Sequence, residues 1–390
     1  MYKRQGRRAL AGELGAGLDY DTSQIFQRLD GQPDGRLMRV ARQMGPQWDN
    51  TALEYGQLGV VALHRALGRR GEARRLQASA APSPVIVAEN AVASLDTCAI
   101  NPAAFWVEGF GSFARRSDSK EISDYDGHFA GTVLGFEKSV SDWAFGAFGS
   151  WADYRADGGD GVSDGDWYTA GLYGGFSRGG FFLDASAAYN HASYDANRSV
   201  FIPGVIFTTP YPDRLIVLDP YDRGASSGKR MNGFSAGLGA GYDFEPGCGW
   251  SVGPRVEGSL VHSRVSGYSE NGAGARNLSV SAYRRTYAGG GVGVGASKAF
   301  ARADGRALVA SFKLMGMYGS SFGDDLRGSF SNNGSAFRFK PERHSGLWCL
   351  PEASLTWKAN DRIAVTAAYS GRFGKRYVEN SGSLCVSLGL

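Results

Sequence analysis

The chain lacks any long hydrophobic run. A membrane-spanning helix needs about 18 or more consecutive apolar residues, and runs such as residues 58–63 are far shorter. If this protein crosses a membrane, it must therefore do so as a closed β-barrel, because only helices and closed barrels satisfy every backbone polar group in lipid.

Cysteine is also scarce, since Cys98, Cys248, Cys349 and Cys385 are the only four in 390 residues. They show neither the Cys-x-x-Cys spacing of zinc or redox sites nor a dense disulfide framework. Free thiols are the simpler interpretation. The alternative is a Cys98–Cys248 bridge, because the topology argued below places both at one end of the molecule. The five histidines are dispersed without paired ligand spacing, so we expect no metal and no other cofactor.

The chain has no large charge of one sign, since 42 Lys and Arg face 38 Asp and Glu. This balance gives no basic face suited to nucleic acid, and we expect none as a partner. Glycine, by contrast, is abundant at 57 residues, and aromatics make up 12%. That composition favours a strand-rich protein whose backbones approach closely over a soluble enzyme core.

Two Gly-x-Ser-x-Gly matches, at residues 161–165 and 175–179, raise the question of a nucleophile elbow. Such an elbow needs a strand-to-helix turn above a parallel sheet. Both matches lie in links between predicted strands, and no helix follows either. We therefore expect no enzymatic activity.

The first quarter of the chain differs from the rest. Residues 1–77 have a helical or irregular pattern, in which Leu53, Val60, Leu63 and Leu67 share one helix face. The basic stretch 69–75 that follows is interpreted as a solvated helix end. Residues 78–103 form a Pro-bearing linker and a candidate pore segment. No signal peptide follows Met1, so we expect the natural chain to start further upstream.

From residue 104 to residue 390, apolar side chains alternate with Gly or polar ones, which is the period of a β-strand. Phe234, Ala236, Leu238 and Ala240, interleaved with small and polar residues, show it best. The pattern predicts twelve strands, near 104–115, 125–138, 142–155, 166–177, 180–195, 230–244, 250–264, 282–299, 306–319, 343–358, 361–373 and 377–390. The predicted fold is all-β: a twelve-stranded antiparallel transmembrane β-barrel, preceded by a short, mainly helical N-terminal segment.

The predicted connections alternate in length. The short ones are 139–141, 178–179, 245–249, 300–305 and 359–360, and the long ones are 116–124, 156–165, 196–229, 265–281 and 320–342; only 374–376 departs from the rule. Bacterial outer-membrane barrels have short periplasmic turns and long extracellular loops. The alternation therefore predicts a bacterial outer-membrane location.

Aromatic residues flank both sets of connections, where interfacial belts would lie. The interfacial candidates are Trp143, Trp250 and Trp357 beside short turns, and Trp151, Trp167 and Tyr189 beside long loops. Each residue alone has a simpler explanation, because aromatics favour strands in general.

Polar residues on the other strand face are predicted to line the pore, because a charge facing lipid at mid-membrane costs about 2–4 kcal/mol for Arg or Lys. The candidates are Asp184, Asp243, Arg255, Glu257, Ser259, Glu352, Ser354 and Thr356. They would hold water or dock the preceding segment. The alternative is a rim position in solvent.

Several segments resemble the translocator domain of autotransporters, which belong to type V secretion. They are the opening strand at Trp106, the turn before Trp143, the strand from Trp250 to Glu257, the Gly-rich strand ahead of Phe300, and the closing segment 377–390. Such barrels usually end in Phe or Trp, whereas this chain ends in Leu390.

The resemblance implies a barrel that mediates surface display or secretion of its own N-terminal passenger, which is largely missing from these residues. It implies outer-membrane lipid and lipopolysaccharide, and the outer-membrane barrel assembly machinery, as partners of a monomer. A passive outer-membrane porin or structural barrel, and a soluble Gly-rich β adhesin, are the alternatives.

Overall fold

The computed structural model describes residues 47–79, 103–117, 124–159, 161–210, 213–301, 306–331, 336–341, 345–360 and 362–390. In this part of the chain one long helix, α1 (Gln47–Ser79), is followed almost entirely by antiparallel strands. Among the described residues, no helix combines the length and the apolar character needed to cross a membrane.

Twelve long strands form the main sheet. They are β1 (Ala103–Arg116), β2 (Tyr125–Val140), β3 (Trp143–Gly158), β4 (Gly161–Arg178), β5 (Phe181–Ile202), β6 (Tyr221–Tyr242), β7 (Trp250–Val265), β8 (Tyr283–Ala301), β9 (Ala307–Gly323), β10 (Ser345–Lys358), β11 (Ile363–Gly374) and β12 (Tyr377–Gly389). Each pairs with the next, and β1 pairs with β12 from Ala104 opposite Gly389 to Arg116 opposite Tyr377. The sheet therefore closes on itself, and the predicted twelve-stranded antiparallel barrel is confirmed.

One end of the barrel carries the turns 141–142 and 179–180 and the connection 243–249, and is called the short-turn end. That connection contains a short thirteenth strand of the main sheet, Phe244–Gly247, which pairs with the start of β7. The opposite, long-loop end carries the longer connections 203–220, 266–282 and 324–344. The connection between β3 and β4 is shorter than predicted, because these strands keep their ladder as far as Gly158 opposite Gly161. In the same way, β5 and β6 stay paired up to Ile202 opposite Tyr221.

Secondary structure continues beyond the barrel at the long-loop end. A separate hairpin pairs Val205–Pro210 with Asp213–Leu218. A four-stranded sheet joins the loops 266–282 and 324–344, and its strands are Tyr268–Ser269, Leu278–Val280, Leu326–Phe330 and Ala336–Phe339. A buried ion pair, with Arg198 Nε 3.0 Å from Glu270 Oε1, ties this sheet to the end of β5.

Side chains alternate between the two faces of the barrel wall, as the period of two requires. The outer face exposes large apolar side chains, among them Leu134, Leu172, Phe234, Val292 and Leu347, each more than 60% exposed. The inner face is buried because α1 fills the lumen. At about 1.5 Å per residue, a helix of this length extends roughly 50 Å.

Candidate functional site: the helix-filled lumen

α1 lies inside the barrel and packs against eight consecutive strands, β2 through β9. At the long-loop end, the ring of Tyr55 packs 5.7 Å from that of Tyr125 and 5.9 Å from that of Tyr154. Near the short-turn end, Arg75 reaches Asp184 of β5. The helix therefore runs down the lumen, with its N-terminal end at the long loops and its C-terminal end at the short turns.

Glycines allow the helix and the wall to interlock. A Cβ on Gly56 of α1 would lie 2.0 Å from Cζ3 of Trp167, so only glycine admits this indole against the helix. Conversely, a Cβ on Gly127 of β2 would lie 2.6 Å from Cε1 of Tyr55. The high glycine content therefore provides, in part, the space that the helix occupies.

Neutral hydrogen bonds hold the middle of the helix. His64 lies between two wall hydroxyls, with Nδ1 2.7 Å from Ser186 Oγ and Nε2 2.8 Å from Ser235 Oγ. About two turns earlier, Gln57 Nε2 donates to Ser263 Oγ at 2.9 Å. These contacts fix the rotation of the helix, because a buried polar group must meet its partner.

The C-terminal part of α1 is joined to the wall by ion pairs. Their distances are 3.7 Å for Arg69–Glu108, 3.9 Å for Arg69–Glu352, 3.4 Å for Arg70–Glu137, 3.5 Å for Arg74–Glu137 and 2.8 Å for Arg75–Asp184. The interpretation of 69–75 as a solvated helix end is therefore wrong. Carboxylates from four different strands converge on this stretch.

The wall carries ion pairs of its own at the same depth. Lys313 of β9 pairs with Glu257 and lies 2.7 Å from Glu352, and Arg255 of β7 pairs with Asp243. Arg255, Glu257 and Lys313 line a cavity together with Arg65 and Glu72 of the helix.

The charges of the two surfaces are opposite. The wall contributes six carboxylates, Glu108, Glu137, Asp184, Asp243, Glu257 and Glu352, against the two cations Arg255 and Lys313, a net charge of minus four. The helix contributes five arginines, at positions 65, 69, 70, 74 and 75, against Glu72, a net charge of plus four. The lumen near the short-turn end therefore has a charge complementary to that of the basic helix.

The structure places the predicted pore-lining residues on the inner face. Asp184, Asp243, Arg255, Glu257 and Glu352 belong to the ion pairs above, and Ser259 lines the same cavity. Ser354 Oγ lies 2.6 Å from Ser311 Oγ, and Thr356 Oγ1 lies 2.9 Å from Thr366 Oγ1. Whether they hold water stays a prediction.

Sequence reasoning did not single out Glu108, Glu137 or Lys313. Each has the same signal as the residues that were found, because a charged side chain occupies the inward position between exposed neighbours. Glu108 lies between Val107 and Gly109, and Glu137 lies between Phe136 and Lys138.

Five of the six interfacial candidates point outward. Trp143, Trp250, Trp357, Trp151 and Tyr189 are each between 43% and 50% exposed. The prediction is wrong for the sixth candidate, Trp167, which is 3% exposed and packs inside the barrel against Gly56 and Phe129. The strand period assigns it to the inner face, and its neighbour Tyr168 points outward instead. The depth of the other five in a membrane stays a prediction.

The remaining sequence predictions concern thiols, serines and domain limits. Cys98 lies outside the described residues, so free thiols stay the prediction, and a bridge to the exposed Cys248 in the 243–249 connection stays the alternative. Ser163 and Ser177 of the two Gly-x-Ser-x-Gly matches lie on β4, which continues into a turn and β5. The division at residues 77 and 103 also stays a prediction, since 80–102 lie outside the described residues; the segment seen in the lumen is α1.

Known proteins share this architecture. A family model of the autotransporter β-domain matches residues 105–370. The β-domain of the Bordetella autotransporter BrkA is 18% identical, covers 74% of this chain and all of its own, and has a TM-score of 0.51. The translocator domain of the autotransporter NalP from Neisseria meningitidis is 12% identical, covers 84% of this chain and 97% of its own, and has a TM-score of 0.52.

No curated protein matches the sequence. The two solved structures show a shared fold, and the family model covers more than half of the chain. The chain therefore belongs to the autotransporter β-domain family, and its barrel is a translocator domain.

Proposed function

We propose that the barrel lies in the bacterial outer membrane with its long loops outside, and that it delivers its own N-terminal passenger to the cell surface. The observation that carries the proposal is the direction of α1. α1 begins with Gln47 at the long-loop end of the lumen, whereas β1 begins with Ala103 at the short-turn end. This is the arrangement expected of a polypeptide whose N-terminal part has passed outward through the barrel.

The outer face supports lipid as a partner. Exposed Leu, Val and Phe side chains surround the barrel, and exposed tryptophans lie beside the short turns at Trp143 and Trp357. Transfer of such an apolar surface from water into lipid is favourable by roughly 25 cal/mol of free energy per Å². We infer that membrane lipid, including the lipopolysaccharide of the outer leaflet, covers it.

The closed ladder supports a monomer, because β1 and β12 leave no strand edge free for a second copy. The same closure makes the barrel assembly machinery of the outer membrane the expected partner in folding. The lumen contains structural ion pairs around a helix, and we infer a transport role without enzymatic activity.

The proposal is tested by expressing the chain behind a signal peptide and comparing the membrane fraction on denaturing gels before and after boiling. A folded barrel changes its mobility on boiling, and a chain that shows no shift contradicts the membrane barrel. Protease added to intact cells should then remove an epitope placed ahead of Gln47. A passive porin would show the mobility shift without surface exposure of that epitope.

A further inference from the structure

The outer face of the barrel has a basic cluster at the long-loop end that the translocator role does not use. Arg230 of β6, Arg264 of β7 and Arg284 of β8 are exposed and lie on three adjacent strands. Each is flanked in sequence by buried residues, so all three side chains point away from the lumen.

Strand pairing brings the three arginines close together. Arg264 is directly opposite Arg284 in the ladder between β7 and β8. The carbonyl of Arg230 accepts a hydrogen bond from Ser266 N–H at 2.9 Å, which places Arg230 diagonally across from Arg264. Opposed residues in an antiparallel pair have Cα atoms about 4.5–5.5 Å apart.

Within the described part of the chain, none of the three guanidinium groups forms an ion pair. Two carboxylates belong to the same ladders: Asp324, which accepts a hydrogen bond from the backbone N–H of Arg284 at 3.1 Å, and Asp195, which is opposite Gly228. Like charges directly opposite each other destabilise a sheet. An anionic ligand between Arg264 and Arg284 would remove that repulsion.

The cluster stands directly above an apolar surface. Asn232 opposes Arg264, and Phe234, two residues further down β6, is 65% exposed. Below it, Leu238, Leu260 and Val256 continue the exposed apolar surface on the same two strands. Two residues of a strand span about 7 Å, so a ligand with a phosphorylated head and several acyl chains matches both parts.

We propose that Arg230, Arg264 and Arg284 bind the phosphate groups of a phosphorylated glycolipid of the outer leaflet, which is lipopolysaccharide in a bacterial outer membrane. Guanidinium groups recognise phosphate oxygens through paired hydrogen bonds. The acyl chains lie against the apolar surface on β6 and β7. This inference rests on the proposed outer-membrane location.

The test uses the full chain, purified as a folded barrel in detergent, and measures binding of bis-phosphorylated lipid A by native mass spectrometry. The triple variant Arg230→Ala/Arg264→Ala/Arg284→Ala should bind at least tenfold more weakly. The matched control is Arg115→Ala, because Arg115 is also exposed on the outer face at the long-loop end but is paired with Asp126 at 3.6 Å. Dephosphorylated lipid A should bind the unaltered protein as weakly as bis-phosphorylated lipid A binds the triple variant.

Three results would overturn the proposal: unchanged binding by the triple variant, an equal loss in Arg115→Ala, or saturation of the site by inorganic phosphate at the lipid A concentration. The mobility shift on boiling verifies that each variant is folded. Surface display of the epitope ahead of Gln47 is measured separately in cells. A failure of lipid binding is therefore distinguishable from a failure of translocation.

Discussion

Arg75 of the luminal helix places its Nη1 2.8 Å from Oδ2 of Asp184 on β5, and its guanidinium carbon lies 3.7 Å from the ring centroid of Phe182. Both partners of the ion pair are largely buried, at 9% and 15% side-chain exposure. This contact joins the end of the helix to the wall at the short-turn end. It is the shortest of the ion pairs between helix and wall given above.

The first prediction concerns this pair. Arg75→Asp and Asp184→Arg should each lower the melting temperature of the folded barrel, because each leaves like charges buried together. The double swap should recover much of the loss, with a coupling energy of roughly 0.5–3 kcal/mol in a double-mutant cycle. The same swap at the exposed pair Arg115–Asp126 serves as the control and should show coupling of about 0–1 kcal/mol. Equal coupling at both pairs would contradict the assigned role of Arg75.

A second prediction follows from the charge of the wall. Deleting residues 47–79 should leave a lumen with a net charge of minus four in the half near the short turns. The open channel should therefore favour cations. Reversal potentials across planar bilayers under a salt gradient measure this preference. Glu137→Gln combined with Asp184→Asn should reduce it. Preference for anions in the deletion variant would show that the wall does not set the field in the pore.

A third prediction uses two glycines of the same helix. Gly56→Ala should destabilise the seated helix and increase conductance, because the added methyl would meet Trp167 at 2.0 Å. A Cβ added at Gly68 would have no atom within 4 Å. Gly68→Ala should therefore stabilise the helix by about 0.5–1 kcal/mol, because alanine loses less backbone entropy than glycine on folding. Gly56→Ala should therefore raise the conductance and lower the unfolding temperature, whereas Gly68→Ala should change neither quantity in that direction. The same response from both would argue against close packing of helix and wall.

A fourth prediction tests the outer face. Val256→Arg places a charge among exposed apolar residues at mid-height on β7 and should cost about 2–4 kcal/mol in unfolding from lipid bilayers. Gly224→Arg, at the long-loop end of β6 with open space around it, is the control and should cost little. If both variants unfold alike in bilayers, β7 does not face lipid at Val256.

The sequence predicts the strands well because each of the twelve has one wall face toward an apolar exterior and one toward a filled lumen. The period of two then appears in the residues themselves, as in Phe234 and Leu238 of β6. Strand extensions such as those of β5 and β6 are missed. In these extensions, toward the long-loop end, polar residues occur on both faces of the strands. The alternation is then lost from the sequence, and only the backbone pairing between β5 and β6 shows that the strands continue.

The contents of the lumen are harder to predict. The arginines of residues 69–75 look like a solvated helix end when the helix is considered alone, because their carboxylate partners lie on distant strands. For Trp167 two sequence signals disagree. Its closeness to a loop favours an interfacial position, whereas the strand period places Trp167 inside and Tyr168 outside.

The direction of the luminal helix is tested most directly by antibody labelling of cells that carry an epitope immediately ahead of Gln47. The reference is the same epitope placed in the short turn at Cys248. Intact cells should label the epitope ahead of Gln47 at full intensity and label the turn only after the outer membrane is permeabilised. Labelling ahead of Gln47 that requires permeabilisation would contradict an outward-delivered chain.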